Sequence, residues 1–443
     1  MDNQDAIRDA RQLGTPKMLI LGLQHMFAMF GATVLVPTLT GLSVSATLLF
    51  AGLATLFCHF VTKKKIPVFL GSSFSFLGGY FALAPHGEPE LLPYACFGVA
   101  CAGVLYAVLA TLCKVYGSKN VVRFFPPVVT GPIIIAIGLC LSSSAIQNCT
   151  SNWPIALVAI VTVIVCNLWG KGMIKIIPIL IGVVASYLAA ALTGNVDFTG
   201  VQEAAWIGFP VKYENTVFSI FTGGNLNTSL LITAAITIIP ISFATMMEHV
   251  GDISAIGSTV GQNFIEDPGL HRTLIGDGVG TAIAALFGAP ANTTYGENTG
   301  VLALTRVFDP RVIRLAACYA IIISFCPKFA ELIHAMPAAT IGGVSLILYG
   351  MISAIGVRNV VENNVDFSNT RNIIIAALIL VLSTGINYGL DGGAIKFQAG
   401  GITIGLTGLA VASFVGIILN AILPGRDEVF AEKPKDAGSL GKY

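Results

Sequence analysis

Four carboxylates in or beside long apolar stretches are the residues of this chain best suited to do chemistry. Most of the 23 acidic residues lie in polar loops or tails, whereas Glu248, Asp252, Asp277 and Glu297 interrupt or border apolar segments. A carboxylate in such surroundings is costly unless it pairs, takes a proton or faces water. Each of the four is therefore a candidate for ligand binding or proton transfer.

Glu248 and Asp252 occur together in MMEHVGD (246–252), four residues apart. This spacing places both carboxylates on one face of a helix. The alternative interpretation is a capping or interface cluster where this segment leaves the membrane, with Asp252 next to a loop.

Glu297 follows the break NTTYG and begins the helical run NTGVLALTR. Free N–H groups and the positive dipole end at a helix N-terminus favour anions and acceptors. The equivalent place after an earlier break, GSSFSFLGGY (71–80), is Phe74. A carboxylate on one side and an aromatic ring on the other suit a flat, neutral heterocycle with N–H donors and C=O acceptors. Core packing is the alternative role for Phe74.

His25, in LQHMF, is either a partner that helps a carboxylate change protonation or a satisfied buried polar group. The nine cysteines are scattered without a CxxC pair, which predicts no metal or redox site. No activated nucleophile with an adjacent base is visible, so we expect neither an enzyme nor a cofactor.

The elements that must position these residues are transmembrane. Hydrophobic residues make up 55% of the 443 and charged residues 11%, and the mean hydropathy is +0.81, whereas soluble domains have about 25% charged residues. Apolar runs of about twenty residues, enough to cross a bilayer, recur about fourteen times. The net charge of +1 disfavours a nucleic-acid partner. The segments lie near 18–37, 44–62, 66–84, 92–113, 124–143, 153–169, 176–193, 228–249, 273–289, 291–305, 312–327, 338–357, 372–389 and 402–424.

Charge placement supports this segmentation. With the N-terminus inside, 21 of the 24 Lys and Arg residues fall on the cytoplasmic side, and only Lys212, Lys328 and Lys396 fall outside. Cytoplasmic loops hold an excess of these residues, so we expect an even number of spans with both termini cytoplasmic. The polar N-terminus lacks the pattern of a cleaved signal peptide, so the first span should be retained.

The chain also contains an internal repeat. Ser72-Ser73-Phe74 matches Thr293-Thr294-Tyr295, and FPPVVTGPIIIAIG (125–138) resembles MPAATIGGVSLILYG (336–350). Seven spans per copy would make the second copy enter from the opposite side. The glycine-rich and polar breaks in segments three and ten would then face each other across a midplane site. Chance similarity of short apolar strings is the alternative.

Several motifs together resemble the nucleobase/ascorbate transporter family, particularly its uracil/xanthine permeases. They extend over residues 17–425, and the family signature appears as ENTGVLALTR (297–306). The other matching strings are QHMFAMFGATVLVPTL (24–39), KIPVFLGSSFSF (65–76), EHVGD (248–252), DPGLHR (267–272) and NTTYGENTG (292–300).

The resemblance implies an all-α polytopic membrane protein with fourteen transmembrane segments in 7+7 inverted repeats. Short antiparallel β-strands would form in broken segments 3 and 10. The implied units are a cytoplasmic N-terminal tail (1–16), a core domain (17–122 and 226–330), a gate domain (123–225 and 331–425) and a cytoplasmic C-terminal tail (426–443). A homodimer through the gate domain is also implied.

The implied substrate site comprises Glu248, Glu297, Phe74, Gly296, Tyr295 and Ala32. The proton-coupling and supporting residues would be Glu248, Asp252, His25 and Asp277.

The implied activity is proton-coupled symport of uracil across the cell membrane by an elevator-type movement. Xanthine or another purine is the alternative substrate, since Asp252 stands where some uracil permeases have His and Asp277 is common among purine carriers. Glu297 points back to uracil, because many purine carriers have Gln there. Sodium in place of the proton and an anion exchanger or channel of related fold are further alternatives.

Overall fold

Long apolar helices form most of the protein. The computed structural model describes residues 6–117, 126–222, 226–399 and 402–425. Besides three helices of four or five residues at Met173–Ile176, Thr199–Glu203 and Phe218–Thr222, the helices and strands are α1 (Thr15–Thr40), α2 (Val44–Val61), β1 (Leu70–Ser72), α3 (Leu77–Leu83), α4 (Leu92–Tyr116), α5 (Pro127–Thr150), α6 (Trp153–Trp169), α7 (Pro178–Leu192), α8 (Thr228–Ile238), α9 (Ile241–Val260), α10 (Leu270–Leu286), β2 (Asn292–Thr294), α11 (Gly296–Thr305), α12 (Pro310–Ser324), α13 (Pro327–His334), α14 (Ala338–Glu362), α15 (Thr370–Gly389), β3 (Ala394–Ala399), β4 (Ile402–Thr407) and α16 (Gly408–Ile422).

Length and composition identify seven membrane-crossing helices among the described residues, counting α8 and α9 together. The number becomes eight if α12 and α13, which meet at 87°, form one broken span. Four shorter apolar helices of 10–17 residues accompany them, at Phe74–Leu83, Trp153–Trp169, Pro178–Leu192 and Gly408–Ile422.

Two predicted segment boundaries are wrong. The eighth segment continues to Val260, where Gly261 in the left-handed region (φ +73°) donates its N–H to Gly257 O. Asp252 therefore lies within α9 and not next to a loop. The fourteenth segment begins with β4, which pairs with β3 as an antiparallel hairpin, and its helix starts only at Gly408. The alternating pattern of ITIGLT favours a strand over a helix there.

The two predicted breaks meet as a two-stranded antiparallel sheet. Leu70 pairs with Thr294, Gly71 with Thr293 and Ser72 with Asn292. Two threonine hydroxyls, on α2 and α10, bond to the main chain of the first residue of each strand. Thr55 of α2 accepts from Leu70 N (2.9 Å) and donates to Leu70 O (3.3 Å). Thr281 of α10 accepts from Asn292 N (3.2 Å) and donates to Asn292 O (2.9 Å).

The helix packing occurs in matched couples, as a two-fold repeat requires. α4 packs along α10 as α2 packs along α12, and α6 packs on α14 as α15 packs on α5. Helices α5 and α14, which begin with the two copies of the repeated string, pack on each other. Small residues allow close approach at these contacts: a Cβ on Gly103 would lie 2.6 Å from Gly278 O.

The N-terminal strap, residues 6–14, is tied to the loop after α11. Ile7 N donates to Arg306 O (2.9 Å), and Phe308 N donates to Ile7 O (2.8 Å). Ala10 N donates to the Asp309 carboxylate at 2.7 Å. The strap also contacts the end of α9, where Arg8 Nη2 donates to Val260 O at 2.9 Å.

Candidate functional site

The two strands lead into two helix starts that face a common region. A 3₁₀ turn begins at Phe74 and continues into α3, while α11 begins at Gly296. These starts are 222 residues apart, so Phe74 is the structural equivalent of Gly296. Ser75 therefore corresponds to Glu297, one residue after the helix start, whereas the sequence predicts Phe74 for that place.

Glu248 lies at the meeting point of both halves. Ser75 Oγ donates to Glu248 Oε2 at 3.1 Å, which joins the first break to α9. Helix α9 also packs on α11 and β2. Glu248 and Glu297 are both half-buried. Sequence reasoning missed Ser75; its place at the break was the available signal.

Tyr295 is fixed between the first break and α1. Its hydroxyl donates to Ser72 O at 2.9 Å and accepts from Thr33 Oγ1 at 3.2 Å. Gly71 lies directly against its ring, since a Cβ there would be 2.5 Å from Tyr295 Cζ. Ala32, the neighbour of Thr33 in α1, is also buried, at 2% exposure.

Phe74 contacts α14. Its half-buried ring makes an edge-to-face contact with Tyr349 of α14, with centroids 6.4 Å apart and planes at 74°. Aromatic pairs favour this geometry. Sequence reasoning did not select Tyr349, although it lies in the repeated string at 336–350.

Gly296 leaves the start of α11 open. It is exposed, and a Cβ placed on it would meet no atom within 4 Å. A helix start with free N–H groups and open space beside it can accept a carbonyl oxygen or an anion from a ligand.

His25 and Asp277, the more remote predicted residues, are fully buried. Asn298 Nδ2 donates to His25 O at 3.0 Å and lies 3.2 Å from His25 Nδ1, so His25 contacts the residue after Glu297. Asp277 Oδ2 lies 3.3 Å from His249 Nδ1. Asp252 is half-buried, one turn beyond Glu248 in α9. Within the described residues, no group of three or more His, Cys, Asp or Glu could hold a metal ion.

Comparison with known proteins gives consistent matches. The xanthine and uracil permease model, described as a permease family, matches residues 16–392. The uracil permease of Bacillus caldolyticus is 38% identical over 97% of this chain and 98% of its own length. That of Bacillus subtilis is also 38% identical, over 95% and 96%. The solved transmembrane domain of the cyanobacterial bicarbonate transporter BicA has the same fold, with a TM-score of 0.61 and 16% identity, covering 94% of this chain and 98% of that one.

Proposed function

Because the chain belongs to the xanthine/uracil permease family, the nucleobase/ascorbate transporters, and is a multi-pass membrane protein, we propose that it carries uracil into the cell with protons. The family and the uracil permease relatives support a nucleobase as the substrate. The inner or plasma membrane is the proposed location, with both termini cytoplasmic.

The observation that carries this proposal is the hydrogen bond from Ser75, at the first helix start, to Glu248 of α9, which also packs on α11. Uracil presents N–H donors and C=O acceptors around a flat ring. Glu248 and Glu297 would accept from its N–H groups, while the main chain at Phe74, Gly296 and Glu297 would donate to its carbonyls. The open start of α11 supports the second half of this arrangement. Phe74, Tyr295 and Ala32 would enclose the ring.

The matched helix packing supports a transport architecture of fourteen segments in two inverted repeats. We assign residues 17–122 and 226–330 to a core domain and residues 123–225 and 331–425 to a gate domain. The first boundary lies in 118–125 and the C-terminal tail in 426–443, both outside the described residues. The core would move against the gate like an elevator, and the gate would join two copies as a homodimer.

Glu248 is the proposed proton-linked group. When a ligand binds and excludes water from a carboxylate, the loss of solvation favours the protonated form of that group. Protonation of Glu248 and binding of uracil can therefore stabilise the same state of the protein. Asp252, His25 and Asp277 would support this exchange from the same group of helices.

The test uses the full chain in proteoliposomes. Wild type should accumulate labelled uracil under an inward proton gradient, with sodium making no contribution. Glu248→Gln should lose proton-driven accumulation. Unimpaired accumulation by this variant would remove Glu248 from the proton-linked role.

Substrate choice is tested by competition of labelled uracil uptake with unlabelled uracil, thymine, xanthine, hypoxanthine and urate. Uracil should compete best. Stronger competition by xanthine would make the protein a purine permease, and chloride or sulfate flux without uracil flux would overturn the proposal.

A further inference from the structure

His249 is a completely buried residue adjacent to Glu248 with no role in the proposal above. Successive helix residues project about 100° apart, so His249 points away from Ser75 and toward the strands. Its Nδ1 lies 2.9 Å from Thr294 Oγ1 in β2 and 3.3 Å from Asp277 Oδ2 in α10. The ring therefore joins three elements of the site.

We propose that His249 is a positioning residue, which uses its Nδ1 to hold β2, and hence the start of α11 with Glu297, at a fixed place relative to Glu248. This proposal rests on the proposed uracil site, because it assigns a supporting role within it.

The chemistry of the three groups selects one form of the ring. Nδ1 lies 3.3 Å from Asp277 Oδ2, which makes no hydrogen bond within the described residues, so the hydrogen bond of Nδ1 is with Thr294 Oγ1, which can accept a proton from it. Nε2 has no hydrogen-bond partner within the described residues. A proton on Nε2 would leave a buried donor unsatisfied, so a ring with its proton on Nδ1 fits this environment.

The connection from Thr294 to the ligand region is short. Thr294 pairs with Leu70 through its main chain, and the next residue, Tyr295, donates its N–H to Phe69 O at 3.0 Å. Gly296 and Glu297 then begin α11. Only Tyr295 and Gly296 separate Thr294 from Glu297, so a change in the side-chain bond of Thr294 can reach Glu297 through two residues.

Two amide substitutions separate this role from simple core packing. The side-chain amide of Asn reaches the position of Nδ1, whereas that of Gln reaches the position of Nε2. His249→Asn should bind uracil within about threefold of wild type, and His249→Gln should bind about tenfold more weakly, because Thr294 loses its partner. Equal behaviour of the two variants, whether both wild-type-like or both weakened, would overturn the proposal.

A second measurement needs no ligand. Hydrogen–deuterium exchange at residues 292–297 of the full purified chain should be faster in His249→Gln than in His249→Asn. If wild type fails to bind uracil, the proposed function fails, and this exchange comparison alone decides the role of His249. If His249→Gln does not fold, Thr294→Val against Thr294→Ser tests the same bond from its other end. Only the valine variant should increase exchange, and equal exchange would contradict the proposal.

Discussion

Thr55 and Thr281 make the same two hydrogen bonds in the two halves of the molecule. Each hydroxyl accepts from the N–H and donates to the C=O of the first residue of a strand, Leu70 or Asn292. Non-helical main chain at membrane depth is tolerated only where its polar groups have partners. These two side chains supply such partners at the outer ends of both breaks.

Replacing either threonine should destabilise the protein by a similar amount. Thr55→Val or Thr281→Val leaves a buried N–H and C=O without a partner, at about 1–3 kcal/mol for each group. Thr47→Val is the matched control, because the hydroxyl of Thr47 donates only to Ser43 O within its own helix. Thermal unfolding in detergent should rank both variants below the control, and equal stability of Thr55→Val and Thr47→Val would contradict this role.

Ser75→Ala should weaken uracil binding about three- to tenfold, because Glu248 loses a hydrogen bond that orients its carboxylate. Ser73→Ala is the control, since Ser73 Oγ is buried without a partner within the described part of the chain. Equilibrium binding to the purified protein distinguishes them. Matching affinities for both variants would exclude an orienting role for Ser75.

Gly71→Ala should reduce uracil uptake by at least about tenfold. The new methyl group would lie 2.5 Å from Tyr295 Cζ and 2.7 Å from Thr33 Oγ1, so the tyrosine must move away from its place beside the sheet. Gly78→Ala, seven residues later, meets no atom within 4 Å and should transport like wild type. Normal uptake by Gly71→Ala at normal expression would show that Tyr295 can be displaced without loss.

The N-terminal strap should loosen in acid. The guanidinium of Arg11, with that of Arg311, holds the pKa of Asp9 well below its usual value of about 4. Because the folded-state pKa is the lower one, the ionised carboxylate holds the strap fully above about pH 4. This stabilisation is lost as the pH falls toward the folded-state pKa.

Asp9→Asn should release the strap at every pH, measured as faster hydrogen exchange at the Ile7 and Phe308 amides. Asp197→Asn is a suitable control, because within the described residues that carboxylate accepts hydrogen bonds from Thr199 alone, in a distant loop. Exchange that stays slow in Asp9→Asn would show that the main-chain bonds to Arg306 and Ile7 suffice.

Residue types alone predicted where the chain departs from regular helix. Gly, Ser, Thr and Asn are dense in both breaks, and Glu248, Asp277 and Glu297 are conspicuous because carboxylates are rare in apolar segments. Partners at long range could not be predicted in this way. Ser75 and Glu248 are 173 residues apart, and nothing local to either one identifies the other.

The hairpin of β3 and β4 shows a second limit. Hydropathy alone cannot separate an apolar strand from part of a transmembrane helix, so it predicts residues 402–407 as the start of the last transmembrane segment, whereas they form β4. For a related reason, the sequence predicts an end of the eighth segment near residue 249, before the end of α9 at Val260. The polar residues after Glu248 suggest a boundary, but packing against other helices allows the helix to continue to Val260.

The pairing of β1 with β2 constrains the order of biosynthesis. Leu70 is translated 224 residues before its pairing partner Thr294. At about 5–20 residues per second, roughly 10–45 seconds separate the two strands. During that interval β1 has no partner strand, so the centre of the molecule is completed only after about two-thirds of the chain has been translated.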